Sequence, residues 1–137
     1  EEAIFGKQQI YNETDEVVGK VENLLINATN ISFDEVYDLV EKYGGVMIPA
    51  HVDKNSNSLM ANLGFIPPDA KFTTAEVKDL KKLHELRKQH PYLEKCRIIS
   101  DSDAHYLEHM NEPMHELYVE ERTREAVIKA LKDSPTV

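Results

Sequence analysis

The chain of 137 residues has one cysteine, Cys96, so it can form no disulfide within itself. A lone thiol suits a reducing compartment, and a cytoplasmic location is the expectation. No apolar run approaches the roughly 18 residues that a membrane-crossing helix needs. The opening residues Glu1-Glu2-Ala3 are not those of a secretory leader, and no membrane association is expected. Positive charge is also scarce: 16 Lys and Arg stand against 25 Asp and Glu, a formal net charge of −9. Sequence-independent nucleic-acid binding draws its affinity from phosphate neutralisation by a basic surface. Without a basic cluster, neither nucleic acid nor an anionic membrane is an expected partner.

Other signatures are missing as well. No G-x-S-x-G elbow, P-loop or H-E-x-x-H helix occurs, which sets aside the hydrolases, nucleotidases and zincins that rely on them. Neither an internal repeat nor a low-complexity segment is present. The three N-x-[ST] triplets at Asn12, Asn27 and Asn30 read as chance matches in a chain without a secretory signal.

What is present is an ordinary globular composition, 41% apolar and 30% charged, enough to build a core. Lys7 to Tyr11 alternates weakly, runs into the polar cluster Asn12-Glu13-Thr14-Asp15, and resumes at Val17-Val18-Gly19, which predicts a β-hairpin. Residues 1–30 thus form a hairpin and lead-in segment. Leu24-Leu25-Ile26 reads equally as a short buried strand or the end of a helical turn. Ser32-x-x-Glu35 is a capping box opening a helix with Phe33, Val36, Tyr37 and Val40 on one face, and Gly44-Gly45 closes it. Val46-Met47-Ile48 predicts a buried strand, and Lys54 to Pro68 a long loop. Phe72 to Lys78 is ambiguous between a helix opened by the Thr73-x-x-Glu76 box and a strand followed by a helix capped by Asp79, with Leu80, Leu83 and Leu86 inside. Pro91 ends the helical pattern in either case. Arg97 to Ser100 predicts a second buried strand, Glu116 to Val119 a last one, and Thr123 caps a final helix with Val127, Ile128 and Leu131 inward. Strands alternating with helices define an α/β fold with parallel strands.

Two places share one design, an apolar strand feeding a polar loop that holds metal-ligand side chains. One is Val46-Met47-Ile48-Pro49-Ala50-His51; the other is Ile98-Ile99-Ser100-Asp101-Ser102-Asp103-Ala104-His105. In parallel α/β folds active sites gather at the C-terminal ends of the strands, where both loops would lie. In extended backbone, residues two apart point to the same side, so Asp103 and His105 would face one cavity. Carboxylate and imidazole together suit zinc, manganese or iron. An isolated Asp-x-His is more often a solvated loop, and an isolated histidine at a strand end is more often simply hydrogen-bonded; the weight lies in their pairing.

Gly44-Gly45-Val46-Met47-Ile48-Pro49-Ala50-His51 and Ser100-Asp101-Ser102-Asp103-Ala104-His105 together resemble two late motifs of the PHP (polymerase and histidinol phosphatase) family of metal-dependent phosphoesterases. Ile10-Tyr11-Asn12, Asn62-Leu63-Gly64-Phe65-Ile66-Pro67-Pro68, His90-Pro91-Tyr92-Leu93 and Tyr106 are similar to bacterial members, so the resemblance spans roughly Phe5 to Leu131. It implies a distorted, seven-stranded, TIM-like β/α barrel with two or three divalent metal ions (Zn, Mn or Fe) at the strand ends. It also implies hydrolysis of a small phosphorylated substrate by a metal-activated water. It favours a strand over Ala75 to Lys78. By position, His51, Asp103 and His105 resemble metal ligands, with Asp103 and His105 the catalytic pair.

The resemblance is incomplete. The family's opening His-x-His pair is absent, and the first histidine in the chain is His51. Three ligands cannot hold a cluster of two or three metals. The expectation is that residues 1–137 are a single piece, the C-terminal half of such a domain, inactive by itself and prone to self-association through exposed strand edges. The alternative is a non-catalytic structural or interaction domain on the same fold. A polymerase accessory domain with nuclease-like activity fits the acidic charge less well.

Lys54, three residues after His51, is a candidate for contact with a substrate phosphate, though a solvated loop lysine is the simpler reading. Asp53 reads equally as a turn residue or a ligand, and Asp101 is expected to face away. His84 and His90 read as surface residues. His109 and His115 read as solvated rather than as supports of the site. Cys96 reads as packing rather than as a nucleophile.

Overall fold

The computed structural model describes residues 2–133. The chain divides into two compact units, Glu1–Ser32 and Phe33–Val137. In the first unit a short helix α1 (Glu2–Phe5) precedes two strands, β1 (Gln9–Tyr11) and β2 (Val17–Lys20), paired antiparallel as the alternation predicts. Asn12 makes the turn: its Oδ1 accepts from the backbone N–H groups of Thr14 and Glu16. Asp15 takes the left-handed conformation at φ 60° that a short polar side chain tolerates. Leu24-Leu25-Ile26 is neither buried nor a strand; it lies at a turn with Leu25 and Ile26 exposed, because a three-stranded sheet that would cover them is not built in this unit.

The second unit starts with helix α2 (Phe33–Lys42), directly after Ser32. Phe33, Val36, Tyr37 and Val40 form its half-buried face, as their spacing predicts. The helix ends on a double-glycine turn. Gly45 N–H reaches back to Val40 O at 2.9 Å and Gly44 N–H to Glu41 O at 2.9 Å, with Gly44 at φ 70°. This six-to-one and five-to-two pairing satisfies two of the carbonyls the helix end leaves open.

Within Lys54 to Pro68 the structure inserts a helical turn, α3 (Leu59–Leu63). Ser58 Oγ accepts from Ala61 N–H at its start, and Gly64 sits at φ 77° at its end. Five residues are too few for periodicity to reveal, so only the two caps marked it. Strand β3 (Thr74–Glu76) then runs parallel to β4 (Arg97–Ile99) in register Thr74–Arg97, Ala75–Ile98 and Glu76–Ile99. The strand reading of the ambiguous segment therefore holds, beginning one residue earlier than expected. The crossover holds a 3-10 turn (Leu80–Lys82) capped by Asp79, helix α4 (Leu83–Gln89), and a second 3-10 turn (Pro91–Lys95). Leu83 and Leu86 pack on the core, whereas Leu80 is exposed because the tighter first turn rotates it off the helix face.

The core comprises Val52, Ile66, Ala70, Phe72, Ala75, Val77, Leu93 and Cys96. Phe72 stacks obliquely on Tyr92 at 4.8 Å between ring centroids and meets Phe33 edge-on at 6.4 Å. Tyr92 donates its hydroxyl to Phe72 O at 2.8 Å and also to Ala70 O. Burial, aided by nearby Cys96 and Tyr37, pushes its pKa up to about 12. The last helix, α5 (Arg124–Lys132), opens on Thr123, whose hydroxyl accepts from Ala126 N–H. At its other end Leu131 O accepts from Thr74 Oγ1 at 2.6 Å, which ties α5 to β3. Ile128 and Leu131 are half-buried, but Val127 is exposed.

The architecture is thus mixed α/β, with one small parallel and one small antiparallel sheet. No closed barrel forms among the described residues. Glu116 to Val119 is not a strand; Met114–Tyr118 and β4 instead line a cavity of about 540 Å³. No helix is long and apolar enough to cross a membrane among the described residues.

Candidate metal centre

Val46-Met47-Ile48 is not itself a ladder strand, yet its continuation joins β3. Glu76 N–H donates to Pro49 O at 3.0 Å, and Val52 N–H donates to Glu76 O at 2.9 Å. A regular parallel ladder would take the second bond from His51 N–H, one residue earlier. Here His51 N–H turns instead to the Glu76 carboxylate, Oε2, at 3.1 Å. The extra residue is a bulge, which both interrupts the expected strand and re-aims the side chain at its crest. His51 sits at φ 30°, rare for a residue with a Cβ.

Asp103 shows the same signature at the end of β4, at φ 51°. Asp103 can hold this conformation as Asp15 does, whereas His51, at φ 30°, is the unusual one of the two candidate ligands. Lys54 Nζ lies 2.9 Å from Asp103 Oδ2, and His105 Nε2 lies 3.8 Å from Asp103 Oδ1. The Lys54 hydrogen bond holds the Asp103 carboxyl below its usual range against partial burial, and the charges of Lys54, His51 and Lys78 add to it. His105 itself is 80% exposed.

The loops around the site are braced by Asp53, which the sequence left open between turn residue and ligand, and by Lys78 and Ser58, which it did not single out. Asp53 spans to the loop after β3, accepting from Lys78 N–H at 2.7 Å and Asp79 N–H at 3.0 Å. Burial works to raise its pKa, but these backbone donors outweigh it and hold the carboxyl below its usual range. Asp53 is therefore a turn-bracing residue. Lys78 Nζ donates to Ser102 O, joining the loops after β3 and β4. Ser58 Oγ donates to Lys54 O at 2.7 Å, so the start of α3 anchors the lysine's backbone. The sequence marked Glu76 only as the last residue of the Thr73-x-x-Glu76 box; the structure places it instead at the end of β3 (Thr74–Glu76).

Asp101, His84, His109 and His115 are exposed, and His90 is half-buried. Cys96 is buried, and burial pushes its thiol pKa up to about 11, which leaves it protonated and inert near neutrality.

The donor chemistry fits a divalent cation in part. A gap of 3.8 Å between a carboxylate oxygen and an imidazole nitrogen suits two ligands each about 2.0–2.2 Å from one ion. His51 Nδ1 is buried with no hydrogen-bond partner. Among the described residues, however, no group of three or more His, Cys, Asp or Glu is placed to hold a metal. Asp103 and His105 come together with Lys54, and His51 stands beside them without closing the set. No family model, curated protein or solved structure matches the chain.

Proposed function

We propose that this chain supplies part of the metal site of a PHP-like phosphoesterase, as the C-terminal portion of a distorted β/α barrel. Asp103, His105 and His51 would hold divalent metal (Zn, Mn or Fe), and the substrate would be a small phosphate ester. The observation that carries the reading is the ion pair between Lys54 and Asp103, which joins the loop after the first motif to the second motif at the strand ends. Consecutive parallel segments delivering an acid, an imidazole and an ammonium to one edge is the layout expected of a hydrolytic site on such a sheet.

Bound divalent metal would acidify its water toward neutrality and offset the charge of the phosphoryl oxygens. Asp103 Oδ1 and His105 Nε2 would be the ligands facing that metal. Lys54 would leave Asp103 Oδ2 for a phosphoryl oxygen, acting as a mobile point charge. The loops braced by Asp53 and Lys78 would hold these groups in place. A cytoplasmic setting, without membrane or nucleic-acid partners, accompanies this reading.

The Lys54–Asp103 pair also favours a second reading, a non-catalytic structural or interaction domain. There the ammonium permanently neutralises the carboxylate that a metal would otherwise need. Metal content after purification without chelators decides between them. Metal retained by the wild type and lost in His105→Ala supports the phosphoesterase site. Equal and negligible metal in both removes a preformed site from this chain, and the same assay on a longer stretch of the natural gene product then separates a partial site, which gains metal there, from a structural domain, which does not.

A further inference from the structure

Glu76 ends β3 with only 9% of its surface exposed, between Ala75 and Val77, both fully buried. A carboxyl group taken out of water is costly unless hydrogen bonds compensate. Among the described residues its oxygens make one hydrogen bond: Oε2 accepts from His51 N–H at 3.1 Å, and Oε1 meets no donor. The lysines of the neighbouring loops are engaged elsewhere, Lys54 on Asp103 Oδ2 and Lys78 on Ser102 O. The acid therefore has one polar task in the fold, the amide of residue 51. The backbone of Glu76 grips the same stretch on either side. Its N–H donates to Pro49 O at 3.0 Å, and its carbonyl accepts from Val52 N–H at 2.9 Å. His51 lies between these two bonds, and its φ of 30° is outside the regions a residue with a Cβ ordinarily adopts. Such a conformation persists only where its surroundings hold it. His51 O in turn accepts from Lys54 N–H at 3.0 Å, which continues the turn to the lysine that pairs with Asp103.

We propose that Glu76 is a positioning residue of the candidate site: its carboxylate captures His51 N–H and holds residues 51–54 in the turn that presents His51 and Lys54 at the strand ends. Glu76 acts through His51 and takes no metal itself. The proposal rests on reading His51 as a metal ligand only for the consequence of the hold; the hold on the backbone stands apart from that reading. A hydrogen bond to a carboxylate is roughly twice as strong as one between neutral groups. That suits an acceptor keeping a residue in a conformation it would otherwise leave. The role explains why a glutamate tolerates burial beside Ala75 and Val77, and why the ladder gives up a regular bond at His51.

Amide hydrogen exchange, read residue by residue by NMR on the full chain, tests the hold in wild type, Glu76→Gln and Glu76→Ala. Glutamine keeps an oxygen at the same reach; alanine offers none. The expected result is a protected His51 amide in the wild type, with the strong intraresidue HN–Hα Overhauser effect of positive φ. Glu76→Gln keeps both. Glu76→Ala exchanges His51 about tenfold faster, while the amides of Val52 and of position 76 keep their rates. Zinc alone, titrated calorimetrically into the same three proteins, reads the consequence: affinity falls about tenfold in Glu76→Ala and is restored in Glu76→Gln. An unchanged His51 amide in Glu76→Ala overturns the proposal. So does protection lost alike at His51, Val52 and position 76, which assigns Glu76 to general stability. Unchanged zinc affinity beside a loosened His51 overturns the positioning role, and equal loss of zinc in both variants overturns it by making Glu76 a ligand. No zinc in the wild type removes a preformed metal site from this chain, and the His51 amide then decides the Glu76 assignment by itself. Should Glu76→Ala fail to fold by circular dichroism, the wild type decides. A slowly exchanging His51 amide with the positive-φ signature keeps the proposal, and a fast one rejects it.

Discussion

Asp53 shows how one carboxylate links local geometry to stability. Its two oxygens satisfy the backbone N–H groups of Lys78 and Asp79, which would otherwise lack partners at the start of a turn. Because its pKa is depressed in the fold, the stabilisation is complete above the unfolded value of about 3.9 and is lost as pH falls through the lower folded value. Asp53→Ala should therefore lower the urea midpoint at pH 7, and the difference from wild type should shrink on acidification below about pH 4. A constant gap across that range would assign the effect to packing instead. At this scale the sequence marked Asp103, His105, His51 and Lys54 through strand-end position alone. It did not mark Glu76 or Lys78, because their roles depend on a bulge and on a neighbouring loop rather than on sequence spacing.

At the scale of elements, the close of α2 offers a clean test. A Cβ on Gly44 would meet nothing within 4 Å, so Gly44→Ala isolates the backbone cost of φ 70°. That cost is about 1–2 kcal/mol for a left-handed residue with a side chain, and should appear as that loss of unfolding free energy. At Gly45 the same change would instead press a Cβ to 2.9 Å from Val40 Cγ1, a steric effect that a smaller residue at 40 should relieve. Helices were legible where caps and periodicity agreed, as at Phe33–Lys42 and Arg124–Lys132. The hairpin was legible from its polar turn. The expected strands at Val46 and Glu116 were not built. The first trades its ladder bond for the Glu76 carboxylate, and the second lines a cavity together with β4.

For the whole molecule, the outer edge of β4 carries no strand among the described residues. Nearby, Tyr106, Leu107, Met110, Met114 and Tyr118 are all exposed, Leu107 at 84%. Open edges and apolar side chains in one stretch favour association between copies. The chain should sediment as a concentration-dependent mixture, and Leu107→Glu should shift it toward monomer. A single monomeric species at every concentration would remove this expectation.

By itself the sequence determined the mixed α/β character, the hairpin, the capped helices and the strand-end placement of the candidate ligands. These follow from local propensity, capping chemistry and hydrophobic period, all short-range in the chain. Only the tertiary structure decided that His51 takes a bulge against Glu76, that Lys54 sits on Asp103, and that the segment after Met114 leaves β4 unpaired. Each of these is a contact between residues at least 14 apart, or the lack of one. Such contacts are set by which backbone groups remain to be satisfied once the core has formed, and no local pattern encodes that competition.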